Sequence, residues 1–210
     1  TIHVEKRIPM GGGLGGGSSD AATTLLALDR LWDTGFGIDR LAALGSTLGA
    51  DVPVFVRGRN AFAEGIGERL VAIDLPPRWY LVLVPQVSVP TGEIFSDPTL
   101  TRDTEETTIL AFFAGQQGRN DLEPVVCRRY PEVARHLDWL GRLAAARMSG
   151  SGACVFAEFA DESAARAVAA RMPEDMAGFV AAGLAVHPLY QGSGIRDQGS
   201  GIRNQQSGSR

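Results

Sequence analysis

Residues 9–20 read Pro-Met-Gly-Gly-Gly-Leu-Gly-Gly-Gly-Ser-Ser-Asp, with six glycines in the seven positions from Gly11 to Gly17. Glycine reaches backbone dihedrals closed to other residues and lets main-chain N–H groups come close to a ligand. Ser18, Ser19 and Asp20 are residue types that cap helix N-termini, and Ala21 to Leu28 is a good helix former. A glycine loop feeding a helix is an anion cradle, because unpaired N–H groups and the positive end of the helix dipole face the same point. The chemistry to expect here is phosphate binding.

Other readings of the run are weaker. No Gly-Lys-[Ser/Thr] follows the glycines, so this is not a Walker A loop. A G-x-G-x-x-G pattern can be read from Gly11, but any stretch this rich in glycine contains one. A dinucleotide fold would also place a hydrophobic strand before the loop and an acidic residue at the end of the next strand. Thr1 to Ile8 instead alternates apolar and polar residues, which predicts a half-buried strand. A flexible linker is the bland alternative, yet linkers do not usually run straight into a capped amphipathic helix.

The elements that must position this loop can be read along the chain. A helix is expected over 19–32, with Leu25, Leu28 and Trp32 on one face, and another from Ile38 to Leu48, with Leu41, Leu44 and Leu48 as its stripe. Ser18, Ser19 or Asp20 would cap the first of these, and Gly49 would end the second. Ala50 to Val56 reads as an apolar strand, and 61–68 and 69–73 as extended segments with glycine bends. Pro76-Pro77 marks a boundary before the strand Trp79 to Val84. Helices are expected at 121–129, at 131–145 and from Asp161 or Ser163 to about Met172; strands are expected over Cys154–Phe159 and 179–186. Between them Ser149-Gly150-Ser151-Gly152 forms a second glycine loop. Strands and helices without regular βαβ alternation indicate an α+β fold.

Composition bounds the rest. With 210 residues, 44% hydrophobic and 21% charged, the chain has an ordinary globular balance, enough for one large domain or two small ones. A net charge of −4 offers no basic field to nucleic acid or to an anionic membrane, and no apolar run approaches the length of a membrane span. Cys127 and Cys154 lack metal-ligand spacing, and His3, His136 and His187 are scattered. A cytoplasmic enzyme is the natural expectation. Residues 191–210 carry a near-perfect seven-residue repeat of Gly, Ser and polar residues, expected to be a disordered tail.

Taken with Leu48-Gly-Ala-Asp-Val-Pro-Val-Phe55, Ala63-Glu-Gly-Ile-Gly-Glu68, Asn120-Asp-Leu-Glu-Pro124 and the second glycine loop, the first loop closely resembles the GHMP small-molecule kinases, over residues 1–190. The resemblance implies a two-domain α+β fold with its first strands missing: residues 1–75 the remainder of an ATP-binding domain, and 76–190 a C-terminal domain. It implies ATP and Mg²⁺ as cofactors, with Pro9, Met10, Gly11, Gly12, Gly13, Leu14, Gly15, Gly16, Gly17, Ser18 and Ser19 around the phosphates. It also implies that Asp51 is the catalytic base, although Asp51 by itself reads equally well as a turn cap before Pro53. The metal ligands stay open, since Asp20 suits a cap or an approach to Mg²⁺. Thr91 and Phe95 match the acceptor side, Phe95 as a stacking face for cytosine or else as a core residue. The implied acceptor is a small molecule, a cytidine-diphosphate-linked methylerythritol phosphorylated at its C2 hydroxyl, handled by a monomer or homodimer. Another acceptor of the same family stays open. So does a non-catalytic nucleotide-binding chain, because the family's N-terminal lysine motif has no counterpart and Lys6 is not placed to replace it.

Overall fold

The computed structural model describes residues 1–65, 67, 69–105, 107–113 and 118–190. The repeat at 191–210, together with Ile66 and Glu68 of the Ala63–Glu68 motif, lies outside the described residues. The chain divides into two compact units: Thr1–Gly17 with Leu75–Ala185, and Ser18–Asp74 with the segment from Val186 onward. A linear division at residue 75 keeps residues 1–17 with 18–75; in the structure they group with the later part of the chain.

The larger unit is built on a four-stranded antiparallel sheet in the order β4 (Ala146–Met148), β5 (Val155–Phe159), β3 (Trp79–Leu83), β6 (Gly178–Ala182). Pairing sets Leu81 opposite Ala157, and Leu83 and Met148 opposite Val155, so these residues share one face. That face is buried with Ile94 of α4 (Thr91–Phe95), Val125 and Val126 of α6 (Glu123–Arg129), and Val133 and Leu140 of α7 (Pro131–Gly141). Val168 and Ala169 of α8 (Glu162–Ala169) pack against the same cluster. Of the two candidate openers, Asp161 and not Ser163 caps α8, its carboxylate accepting from the Ala164 N–H at 2.9 Å. The short helix α5 (Ile109–Phe113) buries nothing, and neither α4 nor α5 is long enough to show periodicity in the sequence. Helix α7 ends at Gly141 rather than 145, where the chain turns into β4.

The smaller unit packs α2 (Gly37–Ser46) and α3 (Val52–Arg57) against α1 (Gly16–Trp32), beside the hairpin β1 (Ala61–Glu64) and β2 (Arg69–Ala72). Its core is Ala22, Leu26, Leu41, Ala42, Val52 and Val56. The α2–α3 approach is tight, since a Cβ on Gly45 would lie 2.7 Å from Val52 Cγ1. A 3₁₀ turn at Pro188–Tyr190 brings the chain back: the His187 N–H donates to Gly58 O at 2.8 Å, and the Tyr190 hydroxyl donates to Val56 O. The combination of antiparallel strands and helices is the α+β class expected, and no described helix is long and apolar enough to cross a membrane.

Four local expectations are corrected. Residues 1–8 form no strand, and Ile2, Val4 and Ile8 are exposed; alternation describes burial, whereas a strand also needs a neighbour to take its hydrogen bonds. Residues 52–57 are helical rather than extended. Pro53 is tolerated in a first helical turn, Gly58 ends the helix in the left-handed region, and Val52 and Val56 fall on one buried face. Burying two valines outweighs the few tenths of a kcal/mol (~0.5 per residue) by which β-branching disfavours helix. Helix α1 buries Ala22 and Leu26 most deeply, with Leu25 of the expected stripe partly buried against the same cluster and Trp32 exposed. On α2 the buried residues are Leu41, Ala42 and Gly45, with Leu44 and Leu48 exposed, and the helix ends before Gly49.

Candidate functional site

In the glycine loop, φ is positive at Gly11, Gly13 and Gly15 and at none of the residues between them. Alternation of this kind turns successive N–H groups toward one side, the geometry of an anion-binding nest. The carbonyls are engaged: the Cys154 N–H donates to Gly12 O at 3.0 Å, and the Ser149 hydroxyl donates to Gly13 O at 2.7 Å. Most of the N–H groups are not. Among the described residues no acceptor takes the N–H of Gly11, Gly13, Leu14 or Gly15, while that of Gly12 faces Pro9 O across the turn at Met10–Gly11. Four donors of this loop are thus without an acceptor among the described residues, and two of its carbonyls are already used.

The two glycine loops are pressed together. A Cβ on Gly13 would lie 2.1 Å from Ser149 O, and one on Gly150 would lie 3.2 Å from Gly13 O. The second loop is closed by the Gly152 N–H on Ser149 O and the Ser149 N–H on Cys154 O, both at 2.9 Å. Cys154 is buried behind Gly12, and burial pushes its thiol up to about 11; burial does the same for Cys127, also to about 11. Burial thus favours the protonated form of both thiols at neutral pH, which disfavours either as a free nucleophile.

Helix α4 joins this arrangement. The Thr91 hydroxyl lies 2.7 Å from that of Ser151, which links α4 to the second glycine loop. Phe95, at the other end of α4, is 52% exposed, while Ile94 beside it is fully buried. The core role in this helix therefore falls to Ile94, and the aromatic face of Phe95 is open to contact.

Asp97 holds α4 in place. Its carboxylate accepts from the Thr99 hydroxyl and from the Thr99 N–H at 2.9 Å, and pairs with Arg129 at 3.0 Å and Arg128 at 3.7 Å. Arg129 also reaches Glu93 of α4 at 3.6 Å, and Arg102 donates to Phe95 O. The Thr99 hydrogen bonds, followed by the two arginines, hold the Asp97 carboxyl below the usual carboxylate range. A lowered native pKa means that this contribution is present in full above the unfolded value of about 4 and is lost as pH falls through the native value. Asp97→Asn is expected to unfold at lower urea than the parent at pH 7, with the difference shrinking progressively below pH ~4. Urea midpoints measured across pH 3–7 check this.

The remaining residues lie in the smaller unit. Helix α1 begins at Gly16, so Ser18 and Ser19 sit inside its first turn and Asp20 beyond them; none is the cap that residue type alone suggests. The Thr24 hydroxyl donates to Asp20 O at 2.8 Å. Asp51 is exposed at the N-cap position of α3, yet its side chain makes no capping hydrogen bond. The turn that carries it is flanked closely, since a Cβ on Gly49 would lie 3.9 Å from Ser18 Oγ, and one on Gly67 would lie 3.3 Å from Ala50 O. Three motifs distant in sequence thus meet around residues 49–51: the first turn of α1, the Gly-Ala-Asp turn and the hairpin tip.

Sequence reasoning singled out the second glycine loop without giving Ser149 or Ser151 an individual part, and it passed over Asn120 and Asp97. The Asn-Asp-Leu-Glu-Pro segment stood out as a motif without a role. Asn120 donates from its amide to Met148 O at 3.1 Å and Gly150 O at 2.8 Å, and the Glu123 carboxylate accepts from the Met148 N–H at 2.9 Å. Nothing in the local sequence signals these contacts, because the partners lie 25 to 30 residues apart.

Comparison with known proteins bears on this arrangement. Residues 1–59 match the model of the GHMP kinases N terminal domain, and residues 100–178 that of GHMP kinases C terminal. A protein of Thiobacillus denitrificans named 4-diphosphocytidyl-2-C-methyl-D-erythritol kinase is 62% identical over 189 residues, covering 90% of this chain and 68% of its own length. One of Nitrosospira multiformis with the same name is 62% identical over 192 residues, covering 90% of this chain and 65% of its own length. The chain thus spans about two thirds of these relatives. A crystal structure of 4-(cytidine 5'-diphospho)-2C-methyl-D-erythritol kinase superposes with a TM-score of 0.69 at 36% identity, over 85% of this chain and 68% of that one. Homoserine kinase from Cytophaga hutchinsonii superposes with a TM-score of 0.55 at 15% identity, over 87% and 69%, a likeness of fold.

Proposed function

This chain belongs to the GHMP kinases, and from that membership we propose that it transfers the γ-phosphoryl group of ATP to the C2 hydroxyl of 4-diphosphocytidyl-2-C-methyl-D-erythritol, a step in non-mevalonate isoprenoid precursor biosynthesis. The observation that carries the phosphate part is the set of N–H groups on Gly11, Gly13, Leu14 and Gly15 with no acceptor among the described residues, on a loop whose Gly12 and Gly13 carbonyls are already bonded. No carboxylate stands between Pro9 and Ser19 to repel a polyphosphate, so the residues present fit one. The acceptor is inferred from the names of the relatives at 62% identity.

When bound, ATP supplies the phosphoryl group and Mg²⁺ neutralises charge on its phosphates. Mg²⁺ in such sites needs only one or two protein oxygens in addition to phosphates and water, and the hydroxyls of Ser18 and Ser19 in the first turn of α1 are of that kind. The backbone donors of the glycine loop hold the phosphates without moving, so their alignment is set before substrate arrives. Asp51, exposed and not engaged as a cap, accepts the proton of the acceptor hydroxyl. Phe95 presents a flat aromatic face on which cytosine stacks, and Thr91 orients the same ligand beside it. A cytoplasmic location and a monomeric or homodimeric state belong to the same proposal.

A substrate panel tests it. ADP release by the purified protein is measured with ATP, Mg²⁺ and, in turn, the cytidyl diphosphate alcohol, homoserine and mevalonate. Release stimulated by the first alone is the expected result. Equal or greater stimulation by either of the others would overturn the assignment of the acceptor.

A further inference from the structure

Asn120 lies outside both glycine loops, yet both N–H groups of its amide are directed at holding one of them. Its two N–H groups go to Met148 O and Gly150 O, and its oxygen accepts from the Leu122 N–H at 3.1 Å. Two carbonyls on one side and an N–H on the other leave a single orientation of the amide that satisfies every partner. Three residues on, Glu123 takes the Met148 N–H. The Met148 residue is therefore gripped at both its N–H and its C=O by the start of α6, and the second glycine loop is anchored on each side of Ser149. Ser149 in turn donates to Gly13 O, and Gly150 rests against Gly13.

From this chain of contacts we infer that Asn120 is a positioning residue for the phosphate-binding loop, acting through Ser149. It does not touch the ligand. It holds the second glycine loop rigid, and that loop fixes the carbonyl of Gly13 and hence the direction of the neighbouring N–H groups. The inference rests on the nucleotide reading above for its functional meaning, but not for the mechanical coupling between the loops.

The experiment uses the full chain and two variants. Asn120→Asp keeps the shape and the bond from Leu122 but turns a carboxylate oxygen toward two carbonyls. Ser149→Ala removes only the clasping hydroxyl. Amide hydrogen exchange of the unliganded protein is read over residues 9–17, and binding of MgADP is measured by calorimetry. Asn120→Asp is expected to speed exchange over residues 9–17 and to weaken MgADP by about tenfold, Ser149→Ala by about threefold. The double variant should be no worse than Asn120→Asp alone, because both changes break the same connection.

Leu140→Ala, which opens the core of the same unit under α7, controls for general destabilisation and should leave both readouts at parent values below its melting range. Faster exchange at 118–124 and 146–153 alone, with residues 9–17 and MgADP affinity unchanged, would overturn the inference. A parent chain that binds no MgADP would count against the nucleotide reading, while exchange over residues 9–17 in the same samples would still decide the coupling.

Discussion

Asp51→Asn is expected to lower kcat by about 10²- to 10⁴-fold, the range associated with a positioned general base. The Michaelis constant for ATP should stay within about twofold of the parent, since the change removes a proton acceptor and not a phosphate donor. The melting temperature decides between this role and the bland one. A lost helix cap lowers stability by ~1 kcal/mol, but the Asp51 side chain caps nothing in α3, so no such loss is expected. Unchanged turnover with a lowered melting temperature would remove Asp51 from the chemistry and return it to the turn. Steady-state kinetics and a thermal melt on the same preparation make the comparison.

The second large effect is expected at Gly13. A Cβ there would meet Ser149 O at 2.1 Å, on a backbone with φ of +71°. The left-handed conformation alone costs an L side chain about 1–2 kcal/mol. The clash adds more, because the obstructing atom is main chain and cannot rotate away. Gly13→Ala must therefore push the loops apart, break the Ser149–Gly13 hydrogen bond and misdirect the N–H groups beside it. MgADP affinity should fall at least about tenfold and the melting temperature should drop. Gly17→Ala provides a contrast in sign: nothing lies within 4 Å of its Cβ and it sits inside α1, so the melting temperature should rise as the helix gains up to ~1 kcal/mol. Calorimetric titration and thermal melts of the two variants separate a crowded glycine from a merely flexible one.

Elements with strong local signals were legible from residues alone. The apolar run that became β3, the strand at Val155–Phe159, the Asp161 cap and the helix after it need only near neighbours to be specified. So did the helix that follows the glycine loop, although its start at Gly16 placed Ser18, Ser19 and Asp20 inside it. The errors fall where a distant partner decided. Val52 to Val56 has a strand's composition but forms a helix because α1 and α2 receive one helical face of it. Thr1 to Ile8 has a strand's alternation but no neighbour to complete it among the described residues. On α1 the contact with α2 and α3 buries Ala22 and Leu26 most deeply, with Leu25 partly buried beside them and Trp32 left outside.

The same division runs through the candidate site. By itself the sequence determined the chemistry on offer: a glycine run that permits main-chain donors to face an anion, a neighbouring helix with serines in its first turn, an aspartate in a Gly-Ala-Asp-Val-Pro turn, and an aromatic near Thr91. Those are properties of residue type and short spacing, and short-range sterics specify them. Only the tertiary structure decided which carbonyls of the loop are used and which N–H groups remain, because the partners are Ser149 and Cys154, more than 130 residues away. It also decided that Ile94 and not Phe95 is buried, that Asp51 caps nothing, and that Asn120 braces the loop from outside. Hydrogen-bond satisfaction and close packing between segments remote in sequence made those choices, and no local pattern carries them.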